Sequence, residues 1–126
     1  MLIDSHVLLW LLADDDRLGA AARTRLTRAA RVHVSAITFL ELTIKAMLGR
    51  VSTPERFAEL VAQQGLHHAP FTAEDAEAVR LLPGLDRHDP FDRSLLAQAQ
   101  RQGWDFMTAD ARLLALGLAG TVDARL

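Results

Sequence analysis

The sequence predicts an α/β domain built on a mostly parallel sheet. Short β-rich runs alternate with longer stretches of helical spacing, the signature of strands joined through helices. Helices between strands require parallel pairing, and right-handed crossovers then bring all the strand C-terminal ends to one edge. The 126 residues, half of them hydrophobic, suffice for one core and leave no room for a second domain, so residues 1–126 are one unit.

MLID is the first strand, followed by a helix through HVLLWLLADD that closes in the acidic turn Asp14 to Asp16. Leu18 to Ala30 carries alanine and leucine at helical spacing and ends before the strand Val32 to Ser35. A second amphipathic helix runs from Ala36 to Leu48 and stops at Gly49. Thr53-Pro54 opens another helix, with proline in the first turn where its missing N–H costs nothing. The extended piece HHAPF precedes a helix from Ala73 to Leu82, which Pro83-Gly84 stops. Phe91 to Gln102 is helical and ends at Gly103; WDFMT is the next strand, Ala111 to Leu116 the last helix, and Thr121-Val122 a last short strand.

There is no cysteine, which excludes disulfides, thiolate metal sites and thiol nucleophiles. Any metal must be held by oxygen or imidazole. VLLWLLA lacks a preceding basic segment and is followed by acids, unlike a signal peptide, and no apolar run approaches the roughly 20 residues of a spanning helix. A cytoplasmic protein without membrane attachment is expected. The net charge of −2 announces no polyanion partner, but of the 14 basic residues only Lys45 is not arginine, the side chain shaped for bidentate phosphate contact. A GC-rich genome gives the same bias.

The carboxylates carry the chemistry. Asp4 directly follows the first strand and Asp110 follows the strand around Phe106, so both fall at the C-terminal edge, where open α/β sheets bind ligands. Glu41, about two turns into its helix, reaches toward the same edge, and Asp92 lies in the first turn of a helix packed on the sheet. Four acids from four segments repel one another unless protons or cations neutralise them. Hard oxygen ligands select Mg²⁺ or Mn²⁺, and two such ions roughly 3.5–4 Å apart suit phosphodiester hydrolysis. Each acid also has a structural role open to it. Asp4 and Asp110 are placed to cap helices, and Glu41 completes the box Thr38-x-x-Glu41 and faces Lys45 four residues on. In HDPFDRSLLAQAQ, Asp89 before Pro90 is the expected cap, which leaves Asp92 for metal.

LIDSH, SAITFLELTIKAMLGR, HDPFDRSLLAQAQRQGW and FMTADARL, in this order and covering nearly the whole chain, resemble the PIN-domain ribonucleases of the VapC toxin type, the toxins of type II toxin–antitoxin pairs. The resemblance implies a three-layer sandwich whose parallel five-stranded sheet is flanked by helices, and a Mg²⁺ or Mn²⁺ endoribonuclease acting on an RNA substrate. It carries the catalytic and metal-binding acids onto Asp4, Glu41, Asp92 and Asp110, with Asp89 as an extra acid, and supporting hydroxyls onto Ser5 and Thr108. Ser5 stands where threonine is more usual. It also implies a homodimer and a VapB-like antitoxin; Trp10, Phe39, Leu40 and Met47 would serve either as that contact surface or as core.

In the mechanism this implies, Asp4 and Asp92 hold the principal ion, Glu41 and Asp110 a second ion or the water, and the products carry a 5′-phosphate and a 3′-hydroxyl. Arg93 and Arg87 are the nearest arginines in sequence, either on backbone phosphates or as solvated helix-end charges. Two other readings use the same residues differently. Histidine acid–base cleavage without metal would use His6 and His88, whereas His33, His67 and His68 have no ligand spacing. A non-catalytic binding module would use the acids only as caps and surface charges. A phosphoaspartate enzyme lacks its second acid in LIDSH.

Overall fold

A computed structural model describes residues 1–82 and 88–126. The expected helix stop at Pro83-Gly84, and Arg87, lie outside the described residues. Five strands, β1 (Leu2–Ile3), β2 (His33–Ser35), β3 (His67–Ala69), β4 (Phe106–Thr108) and β5 (Thr121–Asp123), form one sheet in the order β3-β2-β1-β4-β5, every pair parallel. The chain moves outward from β1 through β2 to β3, then returns to the other side of β1 for β4 and β5. The order therefore reverses between β1 and β4, which opens a crevice at their C-terminal ends.

Seven helices cover the sheet among the described residues: α1 (Ser5–Leu12), α2 (Ala20–Arg28), α3 (Ala36–Met47), α4 (Phe57–Gln63), α5 (Ala73–Ala78), α6 (Pro90–Gln102) and α7 (Ala111–Ala115). Period-two alternation splits β1 and β4 between two cores. Ile3 and Met107 face a core completed by Val7, Leu8, Leu26, Leu42 and Val61 from α1 to α4. Leu2 and Phe106 face the opposite core, filled by Leu95, Leu96 and Ala99 of α6 and Leu113 of α7. This is the expected three-layer sandwich.

Several boundaries move for tertiary reasons. α2 starts at Ala20, not Leu18, because Leu18 is buried in a turn and a Cβ on Gly19 would lie 2.2 Å from the carbonyl carbon of Leu126. α4 starts at Phe57, after Arg56 in the left-handed region (φ 57°), so Pro54 lies ahead of the helix rather than in its first turn. α1 stops at Leu12, and Asp14 turns with φ 51°. α5 ends at Ala78 and tightens into a 3₁₀ turn over Val79–Leu81. β3 stops before Pro70, whose carbonyl accepts from Gln98 Nε2 at 2.9 Å, and β4 begins only at Phe106. The box expected at Thr38-x-x-Glu41 does not form, because α3 begins a turn earlier. Ser35 is its cap, accepting from Ile37 N at 3.1 Å, and Thr38 and Glu41 are buried inside the helix.

α6 shows five successive buried residues, Leu95 to Ala99, so it is enclosed on more than its sheet side. Its lock on α5 is ionic: fully buried Asp75 completes a capping box with Thr72 and accepts from Arg101 Nη1 at 3.0 Å. Asp75→Ala removes the carboxylate half of the capping box and the ion pair together, leaving the Thr72 cap. It should cost about 2–3 kcal/mol in urea unfolding, with little further loss when Arg101→Ala is added to it.

Candidate active site

Asp4 emerges from the central strand into the β1/β4 crevice and is 4% exposed. Its Oδ1 accepts from Val7 N at 2.9 Å as the cap of α1, and its Oδ2 accepts from the Thr108 hydroxyl across the crevice. Burial pushes its carboxyl above the usual range, against the lowering effect of these donors. The Thr108 oxygen in turn accepts from Asp110 N at 3.0 Å. Asp110 Oδ1 caps α7 through Arg112 N at 2.8 Å and Leu113 N at 3.3 Å. One hydroxyl thus ties Asp4 to the backbone of Asp110.

From the other side of the crevice, Glu41 is 5% exposed, with Oε2 3.4 Å from Lys45 Nζ and Oε1 buried without a hydrogen-bond partner. Asp89 Oδ1 caps α6, accepting from Phe91 N at 2.8 Å and Asp92 N at 3.4 Å. Asp92, freed from capping, has its carboxyl pushed up to about 7, first by burial and then by the charges of Asp89, Asp110, Glu41 and Asp4. That repulsion locates the acids: all four sit within Coulombic reach of Asp92. Among the described residues, however, no three acidic or imidazole side chains close into a ready-made coordination shell. The acids share a field; an ion would have to draw them the remaining distance.

The supporting residues separate. Ser5 is buried beside Asp4, and Thr108 is fully buried on its carboxylate. Arg93 follows Asp92, and its buried Nε has no hydrogen-bond partner. His6 is exposed, and its charge acts on Asp4. His33 stacks on Trp104 with ring centroids 3.8 Å apart, and His68 Nε2 lies 2.8 Å from Ala58 O, so neither joins the acids. Trp10 and Phe39 pack against the core, whereas Leu40 (50% exposed) and Met47 (81%) lie on the outer face of α3 with Ile44 and Leu48. The feature least evident beforehand is the Thr108 bridge. The hydroxyl in FMTAD was visible in the sequence, but its partner is 104 residues away.

The sequence profile described as "PIN domain" matches residues 1–117. Ribonuclease VapC22 of Mycobacterium tuberculosis (strain ATCC 25618 / H37Rv) is 35% identical over 120 residues, covering 90% of this chain and 88% of that protein. A toxin-antitoxin complex from Klebsiella pneumoniae contains a chain that superposes with TM-score 0.66 at 20% identity, covering 96% of this chain and 94% of that one. VapBC2 from Rickettsia felis, crystallised with a DNA fragment from its promoter, gives TM-score 0.64 at 10% identity over 97% and 95%. At such identities these two structures speak for the fold, while the profile and the closer sequence speak for descent. The chain belongs to the PIN-domain family, and within it to the VapC type.

Proposed function

We propose that this protein is a divalent-metal-dependent endoribonuclease, the toxin of a type II toxin–antitoxin pair. The observation that carries the reading is the crowding around Asp92, whose carboxyl is raised first by burial and then by the charges of its neighbour Asp89 and of Asp110, Glu41 and Asp4 from three other segments. A cluster that destabilises its own ionised form fits a site completed by a cation. The donors are all oxygen, and the unpartnered Glu41 Oε1 is a lone pair already desolvated, so the residues fit Mg²⁺ or Mn²⁺. Asp4 and Asp92 would hold the principal ion, with Glu41 and Asp110 on a second ion or on the attacking water.

When bound, such an ion supplies Lewis-acid stabilisation of the phosphate and lowers the pKa of water. The chain's own residues do the positioning. Thr108 and Val7 N fix the Asp4 carboxylate, the α6 cap leaves Asp92 free to turn inward, and Arg93, whose buried Nε has no hydrogen-bond partner, would hold a backbone phosphate. No side-chain nucleophile is required, and the products carry a 5′-phosphate and a 3′-hydroxyl. The name of the Mycobacterium relative supports RNA as substrate, and the two toxin–antitoxin structures support a VapB-like antitoxin partner. We extend the proposal to a homodimer; the exposed apolar side chains Leu40, Ile44, Met47 and Leu48 on α3 give partners of either kind a surface. Among the described residues no helix is long and apolar enough to cross a membrane.

The direct test is cleavage of total RNA. Activity in Mg²⁺ should fall at least about 100-fold with EDTA or with Asp4→Asn. Cleavage that survives EDTA and leaves cyclic phosphate ends would hand the reaction to histidine. The two acids of the DPFD motif should also part company. Asp89→Ala loses about 1 kcal/mol of stability with its cap, whereas Asp92→Asn abolishes cleavage with no loss of metal-free stability, and with a gain at neutral pH where the wild-type carboxylate is ionised.

The pH dependence follows from the Asp92 shift. An aspartate that ionises near 3.8 when unfolded and about 7 when folded keeps a proton in the folded state that the unfolded chain has released. Metal-free stability therefore declines as pH rises through this window and levels off above it; Asp4 is shifted the same way. Thermal melts from pH 4 to 8 should show this decline, Asp92→Asn should flatten it, and Mn²⁺ should restore the wild-type loss above pH 7 by preferential binding to the folded state.

A further inference from the structure

The helix end that carries Lys45 holds a second device, separate from the acids though adjoining them. α3 closes with Gly49 at φ 73°, Gly49 N donating to Ala46 O at 3.1 Å and Arg50 N to Lys45 O at 2.9 Å. This is the Schellman pattern, which folds the residue after the glycine back over the third residue from the helix end. Those two positions ordinarily make an apolar contact. Here they are Lys45 and Arg50, so the motif sets two cations on one wall of a cleft of about 300 Å³ between α1 and the end of α3. Ser5, His6 and Leu9 of α1 and the apolar side chains of Leu42 and Val51 complete its lining.

Resting on the ribonuclease reading above, we propose that this cleft binds one nucleotide flanking the scissile phosphate, with Lys45 and Arg50 on its phosphate and the apolar side chains against its sugar or base. Continuity with the acids supports the assignment, since Ser5 adjoins Asp4 in the chain and Lys45 Nζ lies 3.4 Å from Glu41 Oε2. Charge supports it too. Arg50 is exposed and enters none of the ion pairs formed among the described residues, so its charge is available to a ligand. Among the described residues Lys45 pairs with Glu41 alone, the carboxylate that a divalent ion would draw away, so the ammonium would lose that partner as the acids gain theirs. An incoming phosphate supplies the missing negative charge. Apolar and cationic side chains in one cleft suit the two halves of a nucleotide, and the volume lies at the small end of ligand sites.

The test is fluorescence anisotropy of a labelled single-stranded oligoribonucleotide with a cleavage-resistant phosphorothioate backbone, in Mg²⁺, with the wild-type protein as the parent. Adding Arg50→Ala should weaken binding roughly 3- to 10-fold and lower the slope of log affinity against log salt by about 0.7, one phosphate contact on a single strand. Lys45→Ala should act in the same direction, and Arg50→Lys should retain the slope. Arg28→Ala, in the separate basic cleft at the opposite sheet edge, should change neither quantity. On cleavable RNA, Arg50→Ala should raise KM and leave kcat near its original value. Unchanged affinity and slope in both Arg50→Ala and Lys45→Ala would overturn the proposal even if wild-type protein cuts RNA. The same result with weakened binding to a protein partner would assign the cleft to a peptide. If wild-type protein cuts no RNA in Mg²⁺, the ribonuclease reading itself fails.

Discussion

Negative charge gathered at the end of a buried parallel sheet is the constraint around which this molecule is arranged. A carboxylate removed from water is costly unless donors or cations replace the solvent. Asp4 stands at the worst place for it, directly beyond the central strand, and keeps its position through Val7 N and the Thr108 hydroxyl. These two donors offset only part of the cost, as its raised ionisation shows. Asp92 is raised as well, first by burial and then because its neighbours are themselves acids.

Structural and chemical roles for these acids need not compete. Asp4, Asp89 and Asp110 are each the cap of a helix, α1, α6 and α7, and the capping bonds of each fall on a single carboxylate oxygen. Capping therefore fixes the rotamer of the side chain and spares its second oxygen, which in Asp4 accepts from the Thr108 hydroxyl. The positive ends of those helices also face the acids, a favourable interaction that lets the cluster persist in a folded chain. α6, the carrier of Asp89 and Asp92, is held at its far end by the buried Asp75–Arg101 pair and by Gln98 on the Pro70 carbonyl. Asp89 and Asp92 thus stand on a helix that is anchored at its other end.

Legibility in the sequence follows the range of the forces involved. Local chemistry spoke clearly. Gly49 and Gly103 end α3 and α6, Asp89-Pro90 starts α6, and the alternation of strands and helices gives the parallel sheet. Sites set by distant partners were silent. Leu18 looks helical until the C-terminal residues are seen pressed against Gly19, and Thr53-Pro54 looks like a helix start until Arg56 is found in a left-handed conformation. Thr38-x-x-Glu41 has the composition of a capping box but lies a turn inside its helix, where Ser35 has already taken the cap. For the site, the edge on which Asp4, Glu41, Asp92 and Asp110 meet was readable from topology. The Thr108 bridge was not, because pairing β1 with β4 brings together residues from opposite ends of the chain.

That bridge has a bearing on synthesis. The strand that completes the crevice and the hydroxyl that steadies Asp4 leave the ribosome only after most of the polypeptide, and β5, whose edge locks the Thr108 carbonyl to Ala124 N at 2.9 Å, comes later still. A nascent chain that has emerged as far as β3 has Asp4 with Val7 N to hold one carboxylate oxygen, but not the Thr108 hydroxyl that holds the other. The arrangement of the acids is thus completed only once β4 and β5 have joined the sheet.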